Sequence, residues 1–297
     1  MSNDLADDEI EASIATQSEA LASRRGKASV HIRLDGLEKV FGEKGSLGAV
    51  HALEKLDIEV FTGEFLSIVG PSGCGKSTVL NILAGLDRPS AGRILIQGKE
   101  MQERRGHFGY MFQRDLLFPW RTIVQNVALG LEVRGVAPNQ ARQSALELLH
   151  KFGLAQFSEK YASQLSGGMR QRVALMRTLI CDSECLLLDE PFGALDALTR
   201  SVMQSWLLGI WEKQQQTVVF ITHDIEEAVF LSDRVLTMSA RPGRIKGEFK
   251  IDLERPRRRE MLTSEKFTRL KKLILEQIYD ESLIAEELTS GYGKVSI

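Results

Sequence analysis

The chain has 297 residues, 43% of them hydrophobic, and its 38 basic and 40 acidic residues leave a formal net charge near −2. That length allows one large or two modest domains with a sizeable core. The charge balance argues against a general nucleic-acid binder, which usually carries a basic excess, so no nucleic-acid partner is expected. No apolar run reaches bilayer length, and the acidic N-terminus lacks the apolar segment of a secretory leader, so the expected compartment is the cytoplasm.

Residues 1–29 carry Asp4, Asp7, Asp8, Glu9, Glu11 and Glu19 with no aromatic residue, and read as a disordered acidic tail. Regular structure is expected to start at Val30. From there to about 253, strands are predicted at 31–34, 56–60, 65–69, 93–96, 108–112, 185–188, 217–221 and 234–238. Helices are predicted at 76–86, 122–134, 138–152, 167–181, 199–214 and 224–231. Apolar strands alternating with amphipathic helices imply an α/β fold whose sheet is covered on both faces. The two early alternating strands are expected to be antiparallel and half exposed. The strand-free stretch of about 113–165 is expected to be an inserted helical subdomain.

Beyond 253, Arg255-Pro-Arg-Arg-Arg259 forms a basic run, and a last helix is predicted over roughly 264–288, with Phe267, Leu270, Leu273, Ile274 and Ile278 near helical spacing. The favoured reading of the arginines is a solvated linker; attraction to anionic lipid is the alternative. Three cysteines, Cys74, Cys181 and Cys185, are odd in number and lack metal-ligand spacing. Cys181 and Cys185 are expected to be small buried residues. Cys74 lies in a glycine-rich stretch near a lysine and a helix start, so its thiol is expected to be acidified and its alkylation to block whatever that stretch binds.

Gly70-Pro-Ser-Gly-Cys-Gly-Lys-Ser-Thr78 fits Gly-x-x-x-x-Gly-Lys-[Ser/Thr] without a gap, between a short apolar strand and a helical run. Gly70, Gly73 and Gly75 let the backbone approach an anion closely, and the N–H groups of Gly70, Pro71's successors Ser72 and Gly73, Cys74, Gly75, Lys76, Ser77 and Thr78 are available to face it. Lys76 supplies a mobile ammonium for the β- and γ-phosphates, and Ser77 a hydroxyl for Mg²⁺. A bare glycine turn explains the glycines but not the Gly-Lys-Ser. Cys185-Leu-Leu-Leu-Asp189-Glu190 is an apolar strand ending in two acids: Asp189 suits Mg²⁺, Glu190 a general base for the attacking water.

Leu165-Ser166-Gly167-Gly168-Met169 at the head of a helix resembles the signature of ABC transporter ATP-binding subunits, with Met169 where the family usually has Gln. The resemblance spans about 30–250 and implies a P-loop NTPase core with a mixed sheet, an antiparallel β subdomain and an inserted helical subdomain. It implies ATP and Mg²⁺ as cofactors, with two subunits packed head to tail. Ser166, Gly167 and Gly168 would then meet the γ-phosphate held by the opposite subunit. A serine N-cap and two glycines leave bare N–H groups at a helix start, which agrees with an anion site. Gln113 falls where the family places a Mg²⁺ ligand at the hinge to the helical subdomain. His223, in Ile221-Thr-His-Asp224, resembles the switch histidine that orients the attacking water. Gly193-Ala-Leu-Asp196 resembles the interface loop.

Phe41 sits where the family often stacks adenine; a core phenylalanine is the equal alternative. Phe118, Pro119 and Trp120 are expected to meet a helix of the permease, with internal packing a rival reading for Trp120. Ser239-Ala-Arg-Pro-Gly-Arg-Ile245 and the later arginines look like importers of nitrate, taurine and other sulfonates, or of related small organic substrates. The implied assembly adds two permease subunits and, indirectly, an extracytoplasmic binding protein, and lies on the cytoplasmic face of the inner membrane. A soluble ABC-type ATPase uncoupled from transport is the alternative. Chromosomal forms interrupt the domain with a coiled coil, whereas Lys76 and Ser166 are 166 − 76 = 90 positions apart without sustained heptads. A module that has lost catalysis conflicts with the intact Lys76, Asp189, Glu190 and His223.

Overall fold

The computed structural model describes residues 29–42 and 48–290, with side chains as far as residue 285. The expected acidic tail lies, apart from Ser29, outside the described residues. The chain forms two compact units. One holds the described residues up to Arg105 together with those from Thr217 onward; the other is Gly106–Gln216.

In the first unit, β1 (Val30–Phe41), β2 (Val50–Phe61), β4 (Ala91–Ile96) and β5 (Lys99–Glu100) form an antiparallel sheet in the order β2-β1-β4-β5. Ile32, Leu34 and Leu37 of β1 are buried, while Arg33 faces outward and pairs with Glu59 opposite it. This is the half-exposed antiparallel region that alternation predicts. Both strands run well past the predicted segments, because register shifts along β1 interrupt the two-residue period that marks a strand.

β3 (Phe65–Val69), β8 (Thr217–Ile221) and β9 (Arg234–Met238) are parallel, with β3 in the middle, and β10 (Ile245–Lys250) joins β9 antiparallel. Every residue of β3, β8 and β9 is buried, which is why these strands read as continuous apolar runs. β10 was not predicted. Lys246, Gly247, Glu248 and Lys250 hide it, since an edge strand takes its pairing from its neighbour rather than from its own side chains. The helix α1 (Lys76–Leu83) follows β3, and Gly85, at φ +74°, stops it short of the predicted 86. Two further helices, α6 (Ile225–Leu231) and α7 (Glu265–Ser290), pack together, with α7 burying Phe267, Leu270 and Ile274.

The solvated-linker reading holds for Arg258, which is exposed, and is corrected for Arg255, Arg257 and Arg259. Arg257 is only 8% exposed; its Nη1 donates to the carbonyls of Val229 (2.7 Å) and Phe230 (3.0 Å). Arg255 donates to Asp233 and to the carbonyl of Leu231, and the Arg259 guanidinium lies 5.0 Å from the Phe230 ring centroid. These side chains tie up the C-terminal end of α6, where free carbonyls accumulate.

In the second unit, β6 (Gly109–Met111) and β7 (Cys185–Asp189) are parallel, with Tyr110 opposite Leu187. The helices are α2 (Ile123–Val133), α3 (Pro138–Lys151), α4 (Gly167–Leu179) and α5 (Ala197–Gln214). Between β6 and β7 the only β-type pairing among the described residues is an isolated bridge, Thr122 to Tyr161. Thr122 and Gln125 form a capping box at the start of α2, and Pro138 opens α3. Cys185 is buried as expected; Cys181 is half-buried. No helix among the described residues is long and apolar enough to cross a membrane.

Candidate functional site

The loop Gly70–Thr78 leaves β3, the middle strand, and enters α1. Lys76 Nζ folds back across it and donates to the carbonyls of Gly70 (2.8 Å) and Pro71 (2.9 Å). The backbone N–H groups of Gly73 and Gly75 find no acceptor among the described residues, while that of Lys76 donates to the Cys74 sulfur, so two free donors stand ready for an anion. Gly75 has φ +104°, and a Cβ there would come within 2.6 Å of Leu53 Cδ2, so only glycine fits. Ser72 is exposed, and Ser77 and Thr78 are half-buried.

Cys74 corrects an expectation. It is 1% exposed, and burial pushes its thiol above the usual cysteine range despite the opposing charge of Lys76. Desolvation outweighs the nearby ammonium, so the loop holds a buried protonated thiol rather than an acidified one.

Phe41 ends β1 opposite Val50 and is 43% exposed, with Lys39 Nζ 4.6 Å from its ring centroid. It is not a core residue. His223 is exposed on the turn between β8 and α6. That turn is fastened on both sides: Thr222 Oγ1 accepts from Asp224 N (3.0 Å) and donates to Glu227 Oε2 (2.7 Å), while Asp224 caps α6.

In the second unit, β7 ends at the buried Asp189, and Glu190 follows in the left-handed region at φ +47°. Gln113 Nε2 donates to Glu190 Oε2 (3.1 Å). Gln171, which the motif reading passed over, donates to the Glu190 carbonyl (3.0 Å) and accepts from Ala194 N (2.7 Å). It thus staples the segment after β7. A glutamine among the buried positions of an amphipathic helix was the signal for it. Ser166 caps α4, its Oγ accepting from Met169 N (3.3 Å). A Cβ on Gly168 would press Leu195 at 3.2 Å, whereas one on Gly167 would meet only Arg170 Nη2, at an ordinary contact of 3.9 Å.

The loop after Gln113 is held from two sides. Arg170 Nε pairs with Asp115 Oδ2 (2.9 Å), and Arg177 donates to the carbonyls of Asp115 and Leu116 (both 2.7 Å), so two arginines of α4 grip it. Asn126, fully buried on α2, accepts from Phe118 N (2.7 Å) and donates to the carbonyls of Phe118, Arg121 and Thr122. On this frame Phe118 and Trp120 stack, ring centroids 5.1 Å apart, and Trp120 is 72% exposed, which excludes internal packing for it.

Among the described residues no group of three or more His, Cys, Asp or Glu gathers as a self-contained metal site.

Residues 53–193 match the family model described as ABC transporter. Over 260 residues the chain is 48% identical to an uncharacterized ABC transporter ATP-binding protein of Methanocaldococcus jannaschii, covering 88% of this chain and 96% of that protein. It is 41% identical over 253 residues to the aliphatic sulfonates import ATP-binding protein SsuB of Bacillus cereus, covering 85% and 98%. It is 45% identical over 224 residues to the nitrate import ATP-binding protein NrtD of Synechocystis sp., covering 75% and 84%. Among solved structures, the dimeric post-hydrolysis state of the ATP-binding cassette MJ0796 bound to ADP and Pi aligns with a TM-score of 0.68 at 32% identity, over 75% of this chain and all of that one. Likeness of this extent, along a chain whose nucleotide motifs keep the family's order, makes this protein an ATPase of the ABC transporter ATP-binding family.

Proposed function

We propose that the chain is the energy-coupling ATPase of an importer for sulfonates, nitrate or a related small organic substrate. The observation that carries this reading is the 41% and 45% identity to sulfonate and nitrate import ATP-binding proteins over most of both chains. The exposed Trp120, stacked on the half-buried Phe118, supports it as an apolar knob suited to a permease helix.

ATP lies with its phosphates on the N–H groups of the loop Gly70–Thr78. Lys76 releases the loop carbonyls to meet the β- and γ-phosphates, and Phe41 stacks the adenine. Ser77, Gln113 and Asp189 would hold Mg²⁺, which when bound neutralises phosphate charge. Glu190 takes a proton from the attacking water, whose oxygen bonds to the γ-phosphorus as the bond to the ADP oxygen breaks. His223 orients that water and donates to a γ-phosphate oxygen. Ser166, Gly167 and Gly168 meet the γ-phosphate of a second, head-to-tail subunit, so dimer closure depends on ATP and hydrolysis favours opening. The pair sits peripherally on the cytoplasmic face of the membrane, against two permease subunits fed by an extracytoplasmic binding protein.

The test is reconstitution of the chain with its co-purifying membrane partners in vesicles. ATP-dependent uptake of an alkanesulfonate, taurine or nitrate is the expected result. ATP hydrolysis with no membrane partner and no uptake of any of them would leave a soluble ATPase instead.

A further inference from the structure

The segment Ser239–Arg244, between β9 and β10, lies directly against the phosphate loop, and all of it belongs to the first unit. Arg241 donates twice to the Gly73 carbonyl, from Nε (3.3 Å) and from Nη2 (3.1 Å). A Cβ on Gly243 would stand 2.1 Å from the Cys74 carbonyl oxygen, so the two backbones touch there. Two consecutive peptides of the phosphate loop therefore rest on this segment.

The consequence follows from peptide geometry. In a trans peptide the C=O and N–H point to opposite sides, so a loop that turns its N–H groups toward an anion turns its carbonyls away. Those carbonyls need partners outside the cradle. Lys76 covers Gly70 and Pro71, but that ammonium is the group an incoming phosphate attracts. Arg241 covers Gly73 from outside, so its hold does not compete with a bound phosphate.

The segment is itself secured by the C-terminal helix. Glu281 of α7, a buried carboxylate, accepts from Ala240 N through Oε2 (2.8 Å) and pairs with Lys246 Nζ through Oε1 (3.0 Å). One turn earlier Gln277 bonds Thr237 Oγ1 and the Lys246 carbonyl. On β2, Gly243 N donates to the Ala52 carbonyl (2.9 Å), and Glu54 N donates to that of Gly243 (3.0 Å). A buried carboxylate is costly unless both oxygens are engaged, so α7 fits this position only with the segment in place.

We propose that Arg241 is a positioning residue of the nucleotide site, and that α7 contributes to nucleotide affinity by holding the segment that carries it. This rests on the reading of Gly70–Thr78 as the nucleotide loop. The arginine fixes the Gly73–Cys74 peptide, whose own N–H donates to the Pro71 carbonyl (3.4 Å), and so holds the turn from which the flanking N–H groups of Gly73 and Gly75 face an anion; Glu281 fixes the arginine's backbone.

The experiment titrates the full-length chain with MgADP by calorimetry and records nucleotide-free melting temperatures. Failure of the unsubstituted chain to bind MgADP would reject the nucleotide reading itself. Given binding, Arg241→Ala is expected to weaken it about fivefold, the range of one hydrogen bond from a charged donor near solvent. Arg241→Lys is expected to recover part of the loss, and the melting temperature to stay within about 2 °C, since the side chain is exposed. Glu281→Ala is expected to weaken MgADP about threefold, but to add nothing in the Arg241→Ala background; Glu281→Gln, which keeps an acceptor for Ala240 N, stays near the unsubstituted value. Unchanged affinity in Arg241→Ala overturns the proposal. So do additive losses in the double variant, or affinity losses that track lowered nucleotide-free melting temperatures in both Arg241 variants.

Discussion

Gln113 Nε2 donates to Glu190 Oε2 across 3.1 Å, which ties the strand-end glutamine to the carboxylate proposed as the general base. Gln171 holds the Glu190 carbonyl, and the residue keeps a left-handed φ of +47° that glutamate rarely adopts. Side chain, carbonyl and backbone are thus each constrained, as expected of a group whose direction matters. Glu190→Gln preserves the shape and removes the proton acceptor. It is expected to leave ATP affinity within about twofold and to lower kcat by at least about 100-fold, the usual scale for losing a general base. Phosphate release under ATP saturation, beside an ATP binding isotherm, checks this; turnover at the original rate would remove Glu190 from that role.

Trp120 and Asn126 separate docking from folding. Trp120 is mostly in solvent, so Trp120→Ala is expected to shift stability by no more than about 0.5 kcal/mol and to spare ATP binding, yet to weaken co-purification with the permease. Asn126→Ala removes the buried amide that organises the 118–122 backbone and is expected to cost about 2 kcal/mol, because buried carbonyls lose their donor. Chemical denaturation of both variants beside a membrane pull-down distinguishes the two. Unaltered permease capture by Trp120→Ala would assign the contact elsewhere.

What the sequence made readable, and what it hid, follows from distance along the chain. The phosphate loop, Asp189-Glu190 and the Ser166 cap could be read because their requirements are local: glycine torsions, a strand end, a helix start. Arg241 could not be connected to Gly73, because 168 positions separate them and its value lies wholly in that carbonyl. Arg257 read as solvated for the same reason, since nothing near it in sequence shows that the carbonyls of Val229 and Phe230 await a donor. Asn126 lies near the residues it serves, but an amide amid Ile123, Val124 and Val127 is recognised as a loop organiser only once the loop is seen to fold back. Cys74 failed differently. Proximity to Lys76 was correctly read, but burial, which sequence does not show, is the larger effect.

That burial makes Cys74 a protected thiol. In the native chain at pH 8, its reaction with iodoacetamide is expected to be at least about tenfold slower than in the urea-unfolded chain, since both access and thiolate fraction are reduced. Mass spectrometry of the Cys74 peptide over a labelling time course measures this. Equal rates in the folded and unfolded chains would mean that the loop opens freely.

Glu64 gives a pH dependence with a definite sign. It accepts from Phe61 N (2.9 Å) and sits 3.2 Å from Arg234 Nε, but burial dominates and pushes its carboxyl up to about 7. An unfolded glutamate titrates near about 4.3. Between these values the folded chain holds the proton more tightly, so the contribution to stability is complete below about pH 4.3 and is lost as pH rises through about 7. A shift of this size corresponds to roughly 4 kcal/mol at most. Glu64→Gln cannot titrate. The stability of the unsubstituted chain relative to this variant, from urea midpoints, is therefore expected to decline from pH 4.5 to 7 and to level off above. A flat difference across that range would show that Arg234, rather than burial, governs the carboxyl.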